Sequence, residues 1–457
     1  MENRDFTNLI PKYNQPVPRY TSYPTVPYWK EEINAEQWKE HFRNRFISTN
    51  HKEGISLYLH LPFCESLCTY CGCNKKITTN HSVEEEYLDV IIQEWNLYTK
   101  LMKQRPIIRE IHLGGGTPTF FSPRNLSRLM DAIFEKSIIH PLHEFSIEGH
   151  PNNTSPAHLE TLYALGFRRI SYGVQDNDPE VQRIINRIQP LENVRKATTE
   201  ARRLGFESVN YDLVYGLPKQ SRESMERTIN EILELRPDRI AFYSYAHVPW
   251  TSRGQRLFDE NDLPGADLKM ELYLLGKKMF GEAGYIDIGM DHFALPGDDL
   301  FKAKEEGRLH RNFMGYTTQR TALLLGLGVS SISDAGTAFA QNHKTIHDYY
   351  EAIRKGELAV TKGNFLSEED IVFRQYILDV SCRGYTTFRR EYLEELEKFT
   401  FPELLKLQED GLLLFNRNHL AVTDKGWHFI RNICSAFDLH LQRNRSSQVK
   451  MQYSKAI

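Results

Sequence analysis

Ile55-Ser56-Leu57-Tyr58-Leu59-His60-Leu61-Pro62-Phe63-Cys64-Glu65-Ser66-Leu67-Cys68-Thr69-Tyr70-Cys71-Gly72-Cys73 carries an apolar, strand-length run straight into four thiols. Ile55–Leu61 reads as a buried parallel strand. The loop after it has the spacing C-x3-C-x2-C-x-C. Four of the six cysteines crowd this loop, while Cys382 and Cys434 stand alone as small buried residues. An extracellular disulfide scaffold would spread its cysteines along the chain, so the loop reads as a metal site. Three thiolates on one short loop can wrap one face of an iron–sulfur cube, leaving an open iron if Cys73 does not bind. Zinc held by four cysteines is the alternative. Zinc knuckles usually come as two pairs with a longer spacer, so ligand softness and spacing favour iron and sulfur.

Outward from that loop the chain alternates. Further buried runs lie at Glu110–Leu113, Glu144–Ile147, Arg169–Val174, Ser208–Val214 and Arg239–Tyr245. Amphipathic stretches of helical length, Val83–Lys103, Ser122–Phe134, Pro156–Leu165, Glu192–Leu204 and Ser221–Leu235, separate them. Strand–helix alternation with right-handed crossovers predicts an α/β layer, either a barrel or a doubly wound sheet. In a parallel barrel the reactive groups gather at the carboxyl ends of the strands. The cysteine loop, Gly114–Gly116, Glu148 and Gln175 all follow or end such runs, and Asp212 lies within one near Gly216.

Composition narrows the class. The chain has 457 residues, with Lys plus Arg at 57 against Asp plus Glu at 60, a formal charge of −3. That near-neutral balance disfavours a surface built to grip nucleic acid. Apolar residues at 40% are ample for a packed core. No apolar run approaches the ~20 residues of a membrane span, and Met1–Ile10 has no secretory h-region. A soluble, cytoplasmic protein is expected. Residues 1–50 are read as a polar N-terminal lead-in that would act as a lid, 51–360 as the catalytic domain and 361–457 as a mostly helical C-terminal domain. In the last, Ser367–Val380 is expected to be helical, Gly411–Thr423 a hairpin and Lys425–Phe437 a final helix. The tail beyond Asp438 is basic through Arg443, Arg445, Lys450 and Lys455.

Gly114-Gly115-Gly116-Thr117-Pro118 is the second motif. Glycines at a strand end let backbone approach a ligand, and Pro118 holds Thr117 extended. It is no dinucleotide fingerprint, because Thr119 stands where the last glycine would be needed. C-x3-C-x2-C followed by G-G-G-T-P in a β/α chain resembles the radical S-adenosylmethionine (radical SAM) superfamily. Cys73, Pro18-Arg19-Tyr20-Thr21-Ser22-Tyr23-Pro24 and Asn312–Gln319 with its Gly315-Tyr316-Thr317-Thr318 core narrow the resemblance. They are similar to the oxygen-independent coproporphyrinogen III oxidases (coproporphyrinogen dehydrogenases), from about Pro18 to past Asp438.

That resemblance implies a partial (β/α)6 TIM-like barrel and a 4Fe-4S cluster on Cys64, Cys68 and Cys71, with Cys73 nearby as a non-ligand. It implies contacts to a first S-adenosylmethionine from Tyr58, Gly115, Glu148, Gln175, Arg187, Asp212, Ala246 and Ile332. A second molecule would meet Tyr70, Gly116 and Thr117, with Tyr70 where the family usually has another aromatic residue, often Phe. The implied reaction removes one hydrogen atom from each of two propionates of coproporphyrinogen III by a 5′-deoxyadenosyl radical. Loss of carbon dioxide and of one further electron, passed to an electron acceptor, then leaves each of the two vinyl groups of protoporphyrinogen IX. His60, Arg19 and Arg311 are the candidate catalytic or anion-holding side chains. Each has a plainer reading, such as a satisfied buried histidine or a solvated arginine. The expected partners are the porphyrinogen and an electron donor such as flavodoxin or ferredoxin, for a monomer that meets neither nucleic acid nor membrane. Two relatives compete: a haem-binding chaperone, and a haem-modifying radical SAM enzyme. The chaperones lack the Pro18–Pro24 motif and usually have no cysteine at position 73; both features are present here.

Overall fold

The structure is a computed structural model that describes residues 8–444 and Tyr453. Six parallel strands run in chain order: β1 (Ile55–Leu61), β2 (Ile107–Gly115), β3 (Ile138–Gly149), β4 (Arg169–Gln175), β5 (Ser208–Tyr215) and β6 (Arg239–Ser244). The connecting helices include α2 (Val83–Met102), α3 (Pro123–Glu135), α4 (Pro156–Ala164), α5 (Leu191–Leu204) and α6 (Arg222–Leu235), preceded by α1 (Ala35–Glu53). Beyond β1 the sheet continues through β11 (Leu324–Leu327), which is parallel to it, and then through antiparallel β12 (Ile332–Asp334), β13 (Ala338–Asn342) and β14 (Val360–Phe365). Beyond β6 it ends in two antiparallel strands, β8 (His292–Ala294) and β7 (Ile286–Gly289), while β9 (His310–Asn312) and β10 (Gly315–Thr317) form a separate hairpin. β6 and β11 are not paired in this sheet, so the α/β layer is an open, partial (β/α)6 barrel.

Local chemistry places the elements. Ser122, Ser155 and Ser221 cap α3, α4 and α6 through their side chains, and Gly205 ends α5 with a left-handed φ of 100°. Each serine cap contributes ~1 kcal/mol. Leu57, Leu59 and Leu61 point outward and are buried, in one core with Trp38, Phe42, Tyr87, Ile91 and Trp95. Strand alternation then turns Tyr58 and His60 inward.

A second core joins the two ends of the chain. Leu9, Ile10, Tyr13, Tyr20 and Tyr23 pack with Phe373, Tyr376, Phe429 and Phe437. The lead-in therefore divides: its first part belongs with the C-terminal region, and α1 with the barrel. Ser367 caps the helix Glu368–Arg383 in a capping box with Asp370. The expected hairpin is present as Leu413–Phe415 and His419–Val422, with Tyr385–Thr387 as a third strand. The expected last helix is broken into Asp424–Trp427 and Ile430–Ser435, because Phe429 leaves helical geometry and lies 5.4 Å from the Tyr13 ring. Arg443 of the basic tail pairs with Glu369 at 2.6 Å; Arg445, Lys450 and Lys455 lie outside the described residues. Among the described residues no helix is long and apolar enough to cross a membrane.

Candidate active site

The cysteine loop leaves β1 at the barrel mouth and is pinned from three sides. Gly116 and Thr117 donate backbone N–H groups to the carbonyls of Leu61 and Phe63, each at 2.9 Å. Thr69 N–H meets the Ile185 carbonyl at 3.0 Å, and Asn186 Nδ2 meets that of Leu67 at 2.8 Å. Ser252 Oγ and Lys75 Nζ reach the Cys71 carbonyl at 2.9 and 3.0 Å. Two donors also approach the sulfurs: Thr117 Oγ1 stands 3.3 Å from Cys64 Sγ and Arg187 Nη1 3.5 Å from Cys68 Sγ. Among the described residues no three His, Cys, Asp or Glu side chains converge on one ion centre. Cys64, Cys68, Cys71 and Cys73 instead line a common cavity of about 530 Å³.

The cavity's other wall comes from the strand ends. Register sets Glu148 beside Ser171 and Gly173 beside Asp212. Glu148 Oε2 accepts from the Gly115 N–H at 3.1 Å, and Oε1 lies 3.3 Å from His112 Nε2. Burial would raise the Glu148 carboxyl, but His112, the Gly115 N–H and His60 together hold it below the usual carboxylate range. Asp212 accepts from Ser171 Oγ at 3.0 Å and Asn210 Nδ2 at 2.9 Å. Burial, then the Glu148 charge, pushes it up to about 6. Gln175 sits at a left-handed φ of 68° on the same wall. Arg187 donates Nη2 to the Gly173 carbonyl, while its Nε is buried without a partner. A Cβ at Gly116 would fall 2.5 Å from the Pro62 carbonyl, so only glycine lets these backbones touch.

Of the residues singled out in the sequence, Tyr70, Gly115, Gly116, Thr117, Glu148, Gln175, Arg187 and Asp212 line this cavity with the cysteines. Tyr58, His60, Arg311 and Ile332 line an adjoining cavity of about 730 Å³, and Arg19 lines both. Ala246 lines neither; Gln255 Nε2 bridges its carbonyl to that of Tyr70, at 3.1 and 2.9 Å. His60 has both ring nitrogens engaged, by the Tyr58 hydroxyl and the Asn74 carbonyl. Sequence reading missed His112, Ser146, Tyr243 and His292. The signal was parity: His112 pairs with Tyr58 and with Ser146 across the sheet, so the strands alternate inward polar with outward apolar residues.

These residues suit a cluster bound with S-adenosylmethionine. Four thiols face one space, the Arg187 Nε–H is buried without a partner beside it, and the glycines at 115 and 116 clear the approach. Residues 58–232 match the radical SAM superfamily model, so fold and site define a radical SAM enzyme. The chain is 37% identical to the oxygen-independent coproporphyrinogen III oxidase of Pseudomonas aeruginosa, over 97% of this chain and 98% of that one. It is 39% identical to that of Escherichia coli, over 98% of each. The solved E. coli coproporphyrinogen III oxidase, described as a radical SAM enzyme, superposes with a TM-score of 0.87 at 37% identity, over 93% of this chain and all of that one. The chain belongs to the oxygen-independent coproporphyrinogen III oxidases, oxidoreductases of haem biosynthesis that use a 4Fe-4S cluster and S-adenosylmethionine.

Proposed function

We propose that this chain converts coproporphyrinogen III to protoporphyrinogen IX by oxidative decarboxylation of two propionates, with Cys64, Cys68 and Cys71 holding the cluster and Cys73 outside its ligand set. The observation that carries the reading is the single cavity in which these thiols meet Gly115, Glu148, Gln175, Arg187 and Asp212. The bound cluster and S-adenosylmethionine supply one-electron, hydrogen-abstracting chemistry. The chain's own groups position and shield it. Glu148, kept ionised, and Asp212 offer acceptors for ammonium or hydroxyl donors; Arg187 offers its guanidinium to the Cys68 sulfur, which would hold the cluster. Tyr58 stacks 5.9 Å from His112 as a wall, and Ile332 adds apolar lining on the far side. Tyr70, Gly116 and Thr117 are proposed to meet a second S-adenosylmethionine, and Ala246 to act through its backbone beside Tyr70.

Residues 51–360 are the proposed catalytic unit, with the lead-in and C-terminal region closing over its mouth. Arg431 supports this by donating to the carbonyls of Val17 and Pro18, as does the 3.1 Å bond from the Tyr20 hydroxyl to Asp438. A flavodoxin- or ferredoxin-like donor would supply the electron to a cytoplasmic monomer. The test is anaerobic turnover of reconstituted protein with reductant, S-adenosylmethionine and coproporphyrinogen III. Loss of two carboxyl groups with 5′-deoxyadenosine release, abolished in Cys68→Ser, is expected. Deoxyadenosine without decarboxylation would sink the substrate assignment.

A further inference from the structure

The second cavity has one wall with more positive charge than its neighbours satisfy. Its charged lining is Arg19, Arg311 and Lys344 against Glu148. Arg311 is only 7% exposed. Its Nη2 makes one long bond, 3.4 Å, to the Arg19 carbonyl, while Nε and Nη1 are buried without partners. Charged donors left unpaired in a buried site are expensive.

The side chain is nonetheless held in place. Its guanidinium lies 4.7 Å from the Tyr316 ring centroid, and Tyr316 is itself anchored by its hydroxyl on the Ser381 carbonyl at 2.7 Å. Thr317 Oγ1 ties the same hairpin to buried Glu110 at 2.8 Å. The neighbouring groups do not neutralise it. Asp291 is shared in its field with Arg19 and Arg431, and His292 is held neutral, pushed down to about 3 by burial and then by Arg311. A rigid, desolvated guanidinium with two free donors on a cavity wall matches a planar carboxylate.

We propose that Arg311 is a specificity-determining carboxylate receptor, holding through Nε and Nη1 a propionate that does not react in that turnover, with Arg19 as the second cation beside it. This inference rests on the porphyrinogen reading above and deepens it. Position selects the non-reacting group: Arg311 lines the second cavity and not the one in which Cys64, Cys68 and Cys71 meet, whereas Arg19 lines both. The carboxylate of a second S-adenosylmethionine has the same chemistry, so the test separates the two.

Full-length reconstituted enzyme, Arg311→Gln and Arg311→Lys are compared in three assays: turnover of coproporphyrinogen III, fluorescence binding of coproporphyrin III and of its tetraamide, and equilibrium dialysis with S-adenosylmethionine. Loss of charge-assisted bonds should raise KM and weaken acid binding ~10–100-fold in Arg311→Gln. Arg311→Lys should fall between, because it keeps the charge and loses the fork. The tetraamide should bind equally weakly to all three proteins, and S-adenosylmethionine should bind each alike. Equal weakening for acid and tetraamide, or no weakening, would overturn the assignment, as would a loss confined to S-adenosylmethionine. Wild-type protein that neither binds the porphyrin acid nor decarboxylates the porphyrinogen would instead remove the substrate reading itself. Should Arg311→Gln fail to fold, Arg311→Lys decides by the same acid-against-amide comparison.

Discussion

The Tyr58 hydroxyl and His60 Nδ1 stand 3.0 Å apart, two residues apart on the inner face of β1. His60 Nε2 faces the Asn74 carbonyl at 2.9 Å, which can only accept, so the imidazole carries its proton on Nε2 and takes the Tyr58 proton at Nδ1. A histidine engaged this way ties the strand to the far end of the cysteine loop and has no lone pair left for substrate. Burial lowers its pKa below the ordinary histidine value.

The sign of the consequence follows. On acidification the unfolded chain takes up a proton that folded His60 refuses, so its contribution to stability is full above pH ~6.5 and declines below it. His60→Gln should make the acid limb of thermal stability shallower. At pH 7.5 it should also loosen the loop and lower iron retention. A variant that keeps full iron and an unchanged acid limb would show that His60 does not anchor the loop.

Gly116→Ala is expected to be severe. Its Cβ would lie 2.5 Å from backbone atoms of Pro62, which cannot swing aside as a flexible side chain could. Overpacking of this kind costs ~1–3 kcal/mol, and the shift would fall on the strand end that carries the cysteines. Thermal melts and iron content of the reconstituted variant should fall together. The same substitution at Gly265, which meets nothing within 4 Å, should leave iron content unchanged.

Most of the barrel was legible because each strand's outward residues are apolar and three of its helices, α3, α4 and α6, begin at serine caps. Ile55–Leu61 was read to the residue, and Ser122 and Ser221 fell at the helix starts. What composition hid was the polar interior. His112, Ser146 and Tyr243 look unremarkable singly and gain meaning only from cross-strand register, which fixes who faces whom. The union of Tyr20 with Asp438 was out of reach for the same reason: 418 positions separate them, and no local pattern encodes that contact. The break at Phe429 was hidden because it depends on Tyr13, at the other end of the chain.

The four thiols should not be equivalent. Cys64 and Cys68 each have a hydrogen-bond donor at the sulfur, from Thr117 and Arg187. Cys68→Ser should abolish the charge-transfer absorbance of the reconstituted protein and its iron content. Cys73→Ser should keep both. Loss of iron in Cys73→Ser to the level of Cys68→Ser would make Cys73 a ligand.

Asp212 offers a test in which fold and cofactor respond to pH in opposite directions. Its carboxyl is raised to about 6, first by burial and then by Glu148, while Glu148 is held low and stays ionised through the same window. In the unliganded protein, Asp212 holds a proton between its ordinary pKa near 4 and about 6 that the unfolded chain has already released. Its contribution therefore improves stability as pH falls through 6. S-adenosylmethionine binding should go the other way, because a hydroxyl or ammonium donor needs the ionised acceptor. Affinity should weaken by up to ~10-fold per pH unit below about 6. Asp212→Asn should bind weakly at pH 7 and lose this dependence, while its melting temperature at pH 7 holds or rises because a buried charge has gone. Isothermal titration at pH 5, 6 and 7 beside melts of the same samples reads both trends. An Asp212→Asn protein with wild-type affinity at pH 7 would leave the carboxylate without a role in holding the cofactor.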